Sequence, residues 1–158
     1  MRILILNGPN LNRLGKRQPE VYGTTTMEQV MTDLQRRHPD VCFTYLQSNY
    51  EGFLIDTLQT LIAERDAYVQ GDSEDEPVAG VVMNPGGLCH TSISLRDAVE
   101  DAVTSGIPVV EVHISDISKR ESFRRKSLLT EVCTHAVIGQ GINGYAEAIE
   151  WLQQTTNG

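Results

Sequence analysis

Short apolar runs alternate with helical patterns along this chain, and this alternation limits the possible folds more than any other feature. Five runs have the length of a strand and end at turn residues: Ile3–Leu6, Val41–Gln47, Val78–Met83, Pro108–Val112 and Ala136–Gly139. Strands that are separated by helices pair in parallel, with helices on both faces of the sheet. We therefore predict an α/β protein with a flavodoxin-like, three-layer sandwich fold, in which a five-stranded parallel sheet has the strand order 2-1-3-4-5.

The segments between the predicted strands carry apolar residues at helical spacing. Thr24–Arg37 has such residues at i, i+3, i+4 and i+7, namely Met27, Val30, Met31 and Leu34. After the third strand, Thr91 or Ser92 can cap a helix that runs to Ser105. The chain has 158 residues, which is the size of one domain, so we expect residues 1–158 to form a single domain.

A long loop, Asn7–Gly23, separates the first strand from the first helix. Connections in compact domains usually have about 4–6 residues, and much longer ones are often lids or binding loops. This loop holds three amides, three cations and one phenol that we regard as a candidate base: Asn7, Asn10, Asn12, Arg13, Lys16, Arg17 and Tyr22. We predict a lid over about residues 8–24, and the alternative is a solvated surface loop.

Composition excludes several classes of partner. The formal net charge of −8 argues against binding to nucleic acid or to anionic membranes, because both require clustered cations. The three cysteines lack the spacing of a zinc site, and we expect reduced thiols in a cytoplasmic protein. The sequence has neither a signal-peptide pattern nor an apolar run of about 18 residues. Gln70–Pro77 carries four carboxylates and is predicted to be an acidic surface loop, whose role is open.

In sheets of this order, ligands bind at the carboxyl ends of the strands, between strands one and three. Polar residues follow strands one, three and four at that edge: Asn7, Asn10, Arg17, Tyr22, Asn84, His90, Glu111, His113, Ser115 and Arg124. Glu111 and His113 are two apart on a strand and point the same way, so Glu111 can hold and charge the imidazole. Taken singly, most of the others also have a structural explanation as turn, cap or surface residues. His38 and His135 are not accompanied by such a group of polar residues, and we interpret both as structural.

These groups favour proton transfer on a small polar anion. An arginine within about 4–6 Å of a phenol favours the phenolate, which can then act as a base. A histidine paired with a carboxylate can be the matching acid, and arginine with backbone N–H groups suits a substrate carboxylate. The sequence contains no phosphate-binding glycine loop, no metal-ligand cluster and no nucleophile elbow. The residues alone therefore predict a lyase or an isomerase.

Five segments carry a resemblance to a known family: NGPNLNRLGKRQPEVYG, QSNYEGFLID, NPGGLCHTSISLRDA, EVHISDISKRESFR and GQGINGYAEAI. Together they resemble the type II 3-dehydroquinate dehydratases of the shikimate pathway, in order and over nearly the whole chain. The resemblance implies a flavodoxin-like fold, no metal or organic cofactor, and a dodecamer built from four trimers. It also implies a reaction, which is the anti elimination of water from 3-dehydroquinate to give 3-dehydroshikimate.

The resemblance assigns catalytic roles to five residues. Tyr22 would be the base that removes a proton from C2, and Arg17 would stabilise its phenolate and close over the substrate with the lid. Asn10 would position a water against the developing enolate oxygen. His113 would be the acid that protonates the departing C1 hydroxyl, and Glu111 would orient it.

Six further residues would bind the substrate by the same resemblance: Asn84, His90, Asp97, Ile114, Ser115 and Arg124. The Ile114 and Ser115 amides, with the Ser115 hydroxyl, would receive the substrate carboxylate. Asp97 points off the core face of its helix, and the resemblance implies that it reaches the active site of a neighbouring subunit. Its alternative is a solvated helix carboxylate.

The sequence departs from the family at Asp116, where asparagine is usual, and this change could alter the charge of the carboxylate pocket. The acidic loop Gln70–Pro77 is also longer than usual. Two rival functions share this fold class: a non-catalytic module that binds a small ligand or nucleotide, and a receiver-type signalling domain. The first would need a phosphate loop after strand one, and the second would need acidic residues where Asn7 and Asn84 stand.

Overall fold

The computed structural model describes residues 1–156, so residues 157 and 158 of the expected domain lie outside the described residues. Its five strands are β1 (Arg2–Asn7), β2 (Cys42–Gln47), β3 (Gly80–Asn84), β4 (Val109–His113) and β5 (His135–Ile138). Its α-helices are α1 (Pro19–Tyr22), α2 (Met27–Arg37), α3 (Glu51–Gln70), α4 (Ile93–Thr104) and α5 (Asn143–Thr156). Short 3₁₀ turns lie at Leu11–Arg13, Gly86–His90, Ile117–Lys119 and Ser122–Arg124.

The five strands form one parallel sheet with the order β2-β1-β3-β4-β5, which confirms the predicted topology. The register places Asn7 of β1 beside Asn84 of β3, and Met83 beside Glu111 of β4. The carboxyl ends of the three central strands therefore meet at one edge of the sheet. This edge includes the switch point between β1 and β3, where ligands bind in such folds.

Two apolar cores lie on opposite faces of the sheet, because alternate residues of β1 point to opposite sides. Ile3 and Ile5 pack in one core with residues of α2 and α5. Leu4 and Leu6 pack in the other core with residues of α3 and α4. The sheet is thus covered by helices on both faces, and the three-layer α/β architecture is confirmed.

Several predicted boundaries were wrong by one or more residues. Three strands extend one residue further than predicted, to Asn7, Asn84 and His113, because these buried polar side chains find hydrogen-bond partners without leaving the sheet. The third strand also begins at Gly80 rather than at Val78. The first long helix begins at Met27 rather than at Thr24.

The start of α2 is set by a capping box. The Thr26 hydroxyl accepts a hydrogen bond from the Gln29 amide, and the Gln29 side chain accepts one from the Thr26 amide. At α4 the sequence left two possible caps, and Ser92 is the one whose hydroxyl accepts the Leu95 N–H at 2.9 Å. No helix within residues 1–156 has the length and apolar character to cross a membrane.

The two predicted loops contain more helix than the sequence indicated. The segment after β1 includes the 3₁₀ turn Leu11–Arg13 and the single helical turn α1, and the Asn10 amide is tied to the Asn49 side chain at 2.9 Å. α3 continues to Gln70, so the acidic loop begins one residue later than predicted. Its four carboxylates are all exposed, and the Arg2 guanidinium donates a hydrogen bond to the Glu76 carbonyl.

Candidate active site

A cavity of about 230 Å³ lies at the carboxyl ends of the central strands. Its walls come from the loop after β1, the turn after β3 and the loop after β4. Four arginines line it, namely Arg13, Arg17, Arg120 and Arg124, and no carboxylate is among the lining residues of the described chain. In a protein with a net charge of −8, this cluster makes a local positive field that suits a small anion.

Nine of the eleven predicted site residues line this cavity: Asn10, Arg17, Tyr22, Asn84, His90, His113, Ile114, Ser115 and Arg124. Glu111 lies behind the cavity wall, fully buried. Asp97 is the residue that the fold does not bring to the cavity of its own chain. Its exposed carboxylate lies on α4, 3.6 Å from the Arg96 guanidinium. The roles assigned to these eleven residues stay predictions.

The floor of the cavity depends on two glycines where the turns after β1 and β3 touch. A Cβ on Gly8 would lie 2.5 Å from the Pro85 carbonyl oxygen, which is too close for any side chain. Gly86 has φ +58°, and a Cβ there would lie 2.8 Å from the Pro9 carbonyl oxygen. The two turns can therefore pack against each other only because both positions lack a side chain.

A buried hydrogen-bond network lies beneath the floor. The fully buried Tyr145 hydroxyl donates to Asn7 Oδ1 at 3.0 Å and accepts from Asn84 Nδ2 at 3.2 Å. Asn84 Oδ1 accepts the Gly86 N–H at 3.1 Å, so the orientation of its amide is fixed. Burial raises the pKa of Tyr145, which keeps this hydroxyl protonated and able to donate. Sequence reasoning missed Tyr145, although it lies within the motif GQGINGYAEAI.

His113 and Glu111 form a buried pair, as their spacing on β4 predicted. His113 Nε2 lies 2.7 Å from Glu111 Oε1. A carboxylate can only accept a hydrogen bond, so His113 Nε2 carries a proton and is the donor. Ser127 also donates to Oε1, and Thr130 donates to Oε2 at 2.5 Å. Burial raises the pKa of Glu111, but the hydrogen bond and charge of His113 together with the two hydroxyls outweigh it and hold that pKa below its usual value.

Tyr22, near the end of the lid segment, lies close to two arginines, Arg17 and Arg120. The Arg120 guanidinium donates to the Tyr22 hydroxyl at 3.1 Å and to the Ser115 hydroxyl at 3.2 Å. The Arg17 guanidinium carbon lies 5.9 Å from the centre of the Tyr22 ring. The hydrogen bond to Tyr22 raises the pKa of Arg120, so this guanidinium is firmly charged. Sequence reasoning missed Arg120, although it lies within the segment EVHISDISKRESFR that carries part of the family resemblance.

The second histidine at the cavity is oriented by the backbone. His90 Nδ1 lies 2.8 Å from the Lys126 carbonyl oxygen. Because a carbonyl only accepts, Nδ1 carries the proton, and Nε2 is the nitrogen left for a ligand. His90 is therefore held in one tautomer while it is neutral.

Asp116 does not line the cavity, although it follows Ser115 directly. Its Oδ1 accepts from the Ser118 amide at 3.1 Å and from the Ser118 hydroxyl at 2.6 Å, and its Oδ2 lies 3.3 Å from Lys119. The Ser118 hydrogen bonds and the Lys119 charge lower the pKa of Asp116. Its charge is satisfied at the start of the 3₁₀ turn Ile117–Lys119. Within residues 1–156, no three side chains of the metal-ligating types converge at this cavity or elsewhere.

The chain is similar to known proteins in both sequence and fold. The family model described as "Dehydroquinase class II" matches residues 1–153. The chain is 46% identical to the 3-dehydroquinate dehydratase of Pelodictyon phaeoclathratiforme, over 99% of this chain and 95% of that protein. It is 41% identical to the catabolic 3-dehydroquinase of Pyricularia oryzae, over 95% and 88%. The crystal structure of the type II dehydroquinase from Butyrivibrio crossotus superposes with a TM-score of 0.82 at 37% identity, covering 97% of each chain.

Proposed function

Because this chain belongs to the class II dehydroquinases, which are hydro-lyases, we propose that its cavity removes water from 3-dehydroquinate to give 3-dehydroshikimate in the shikimate pathway. The elimination is anti and passes through an enolate. The observation that carries this proposal is the presence of two proton-transfer groups in one cationic cavity. Tyr22 and His113 both line the cavity wall. Arg120 donates a hydrogen bond to Tyr22, and Glu111 accepts one from His113 behind the wall.

Tyr22 is the proposed base. It takes a proton from C2, next to the substrate ketone, and the electron pair moves toward the ketone oxygen. A cation that donates to a phenol oxygen favours the phenolate, and Arg120 stands 3.1 Å from that oxygen. Arg17 adds a second positive charge near the ring and closes over the substrate with the lid.

His113 is the proposed acid. Glu111 holds the Nε2 proton, so Nδ1 is the nitrogen that gives a proton to the departing C1 hydroxyl, which leaves as water. The ionised Glu111 stabilises the imidazolium form that this step requires. This buried carboxylate acts through His113 and does not touch the substrate.

The remaining residues bind the parts of the substrate that do not react. The Ile114 and Ser115 amides, with the Ser115 hydroxyl, receive the carboxylate at the end of β4. Asn84, His90 and Arg124 bind hydroxyls and oxygens, and Asn10 positions a water against the enolate oxygen. The four arginines raise the local concentration of the anionic substrate.

The proposal also includes an assembly. A dodecamer of four trimers would place Asp97 of one subunit at the cavity of the next. The exposure of Asp97, away from the cavity of its own chain, supports this arrangement.

The decisive experiment compares wild type with Tyr22→Phe by the absorbance of the conjugated enone product. We expect kcat to fall by roughly 10²–10⁴-fold with substrate binding retained, because only the transition-state contact is lost. Tyr50→Phe is a matched control, since the Tyr50 side chain is exposed. A Tyr22→Phe enzyme that retains more than about a tenth of kcat would contradict a general base at this position.

A second experiment separates this route from one through a lysine Schiff base. The lysines of the chain are Lys16, Lys119 and Lys126, and none is among the cavity-lining residues described within 1–156. Borohydride added with substrate should therefore leave the activity intact. A reduced lysine adduct in the mass spectrum would overturn the tyrosine mechanism.

A further inference from the structure

We propose that Ser127 and Thr130 are positioning residues for the proton-transfer chemistry, because they fix the carboxylate that holds His113. This inference rests on the proposed function, in which His113 is the acid. Neither hydroxyl lines the cavity, and neither would touch the substrate.

Glu111 is fully buried, and its two oxygens receive three donors. His113 and Ser127 share Oε1, while Thr130 is the partner of Oε2 at 2.5 Å. A carboxylate that is held at both oxygens cannot rotate about its terminal bond. The orientation of the Glu111 carboxylate toward His113 is therefore fixed, and the proton of this hydrogen bond stays on His113 Nε2.

The hydroxyl group of Ser127 is also held in one orientation, with its proton directed at Glu111. The Leu129 amide donates to Ser127 Oγ at 3.1 Å, so this oxygen already accepts from the backbone and its own proton points to Glu111. Leu129 is fully buried, and the Leu128 amide donates to the Cys89 carbonyl at 2.7 Å. The residues that follow the serine are therefore anchored to the core.

The same segment reaches the second cavity histidine, since the Lys126 carbonyl accepts from His90 Nδ1. Residues 126–130 thus support both histidines of the cavity from behind. They lie in the loop between the 3₁₀ turn Ser122–Arg124 and β5, where no strand or helix dictates their conformation.

Loss of a donor has a predictable electrostatic result. The titratable groups that face Glu111 are His113 and the thiols of Cys89 and Cys133. Burial and the charge of this carboxylate raise the pKa values of the two thiols. When Ser127 or Thr130 is changed, Glu111 loses one of the three donors that stabilise its negative charge. The carboxylate then accepts a proton at higher pH, and the imidazolium loses its partner.

The test uses Thr130→Val and Ser127→Ala, with the pH dependence of kcat/KM for 3-dehydroquinate as the main readout. Thr130 is largely exposed, so its replacement by valine removes the hydroxyl without leaving a hole in the core. Thr60→Val is the matched control, because Thr60 is exposed and its hydroxyl bonds only to a helix carbonyl, that of Asp56.

We expect kcat to fall about 10-fold to 100-fold in each variant with KM nearly unchanged, and the acid limb of the pH profile to move to higher pH. A loss of stability alone would not move that limb. Wild-type activity is measured first, and its absence would refute the proposed function itself. An active wild type together with an unshifted acid limb in both folded variants would refute the positioning role alone.

Discussion

The Arg120 guanidinium donates a hydrogen bond to the Tyr22 hydroxyl across 3.1 Å, and this contact joins the lid segment to the loop after β4. The two residues are 98 positions apart in the chain. The same guanidinium holds the Ser115 hydroxyl, which is proposed to bind the substrate carboxylate. One arginine thus connects the proposed base to the proposed anion site.

Arg120→Ala should therefore damage catalysis more than folding. The phenolate of Tyr22 would lose its nearest cation, and we expect kcat to fall by about 100-fold. Arg120→Lys should recover only part of this loss, because an ammonium cannot donate in the fork geometry of a guanidinium. Arg36→Ala, on the exposed face of α2, is the control and should leave kcat unchanged.

Glu111 makes stability depend on pH in a defined direction. Its pKa in the folded protein lies below the ordinary value of 4.5, so its stabilising contribution is present above that value and is lost as the pH falls through the folded pKa. Compared with Glu111→Gln, wild type should be more stable near neutrality by about 1–3 kcal/mol. Denaturant unfolding as a function of pH should show this gap narrowing below pH 4.5. A gap that is constant with pH would contradict the assignment.

Asp116→Asn should have little effect on substrate binding. The Asp116 carboxylate is directed to Ser118 and Lys119 and does not line the cavity. We expect KM for 3-dehydroquinate to change by less than about twofold, because the charge removed is already paired outside the site. A clear fall in KM would instead show that this carboxylate repels the substrate, as the sequence alone suggested it could.

Asp97 can be tested by mixing two impaired enzymes. Tyr22→Phe and Asp97→Ala are unfolded together and co-assembled at equal amounts, after Asp97→Ala alone has been shown to be impaired. If Asp97 serves a neighbouring subunit, about a quarter of the cavities should contain both wild-type residues, and activity should rise well above that of either parent. If Asp97 serves its own chain, every cavity retains one lesion and no activity returns. Glu100→Ala on the same helix is the control and should stay active.

The sheet and most of the cavity could be predicted because they depend on local patterns. The strands have their own apolar signature, and parallel pairing brings Asn84 and His113 to one edge. The spacing of Glu111 and His113 on one strand was sufficient to predict their contact, because residues two apart on a strand share a face.

The missed residues have no such local signal. Arg120, Ser127 and Thr130 lie in an aperiodic segment, and their importance comes from contacts with distant parts of the chain. Tyr145 has the apolar neighbours of an ordinary core tyrosine, and only the tertiary structure reveals that its hydroxyl meets two asparagines. The helix α1 has four residues, which is too short for a helical period to be visible.

The hydrogen bond between Tyr145 and Asn7 spans 138 positions, from the first strand to the last helix. β1 is synthesised before α5, so the network beneath the cavity floor stays incomplete until α5 has left the exit tunnel. Contacts of such long sequence separation require the closure of a large loop, and topologies rich in them fold slowly. A nascent chain whose α5 is still inside the ribosome therefore has the residues of the cavity wall but lacks the Tyr145 hydroxyl that joins Asn7 to Asn84.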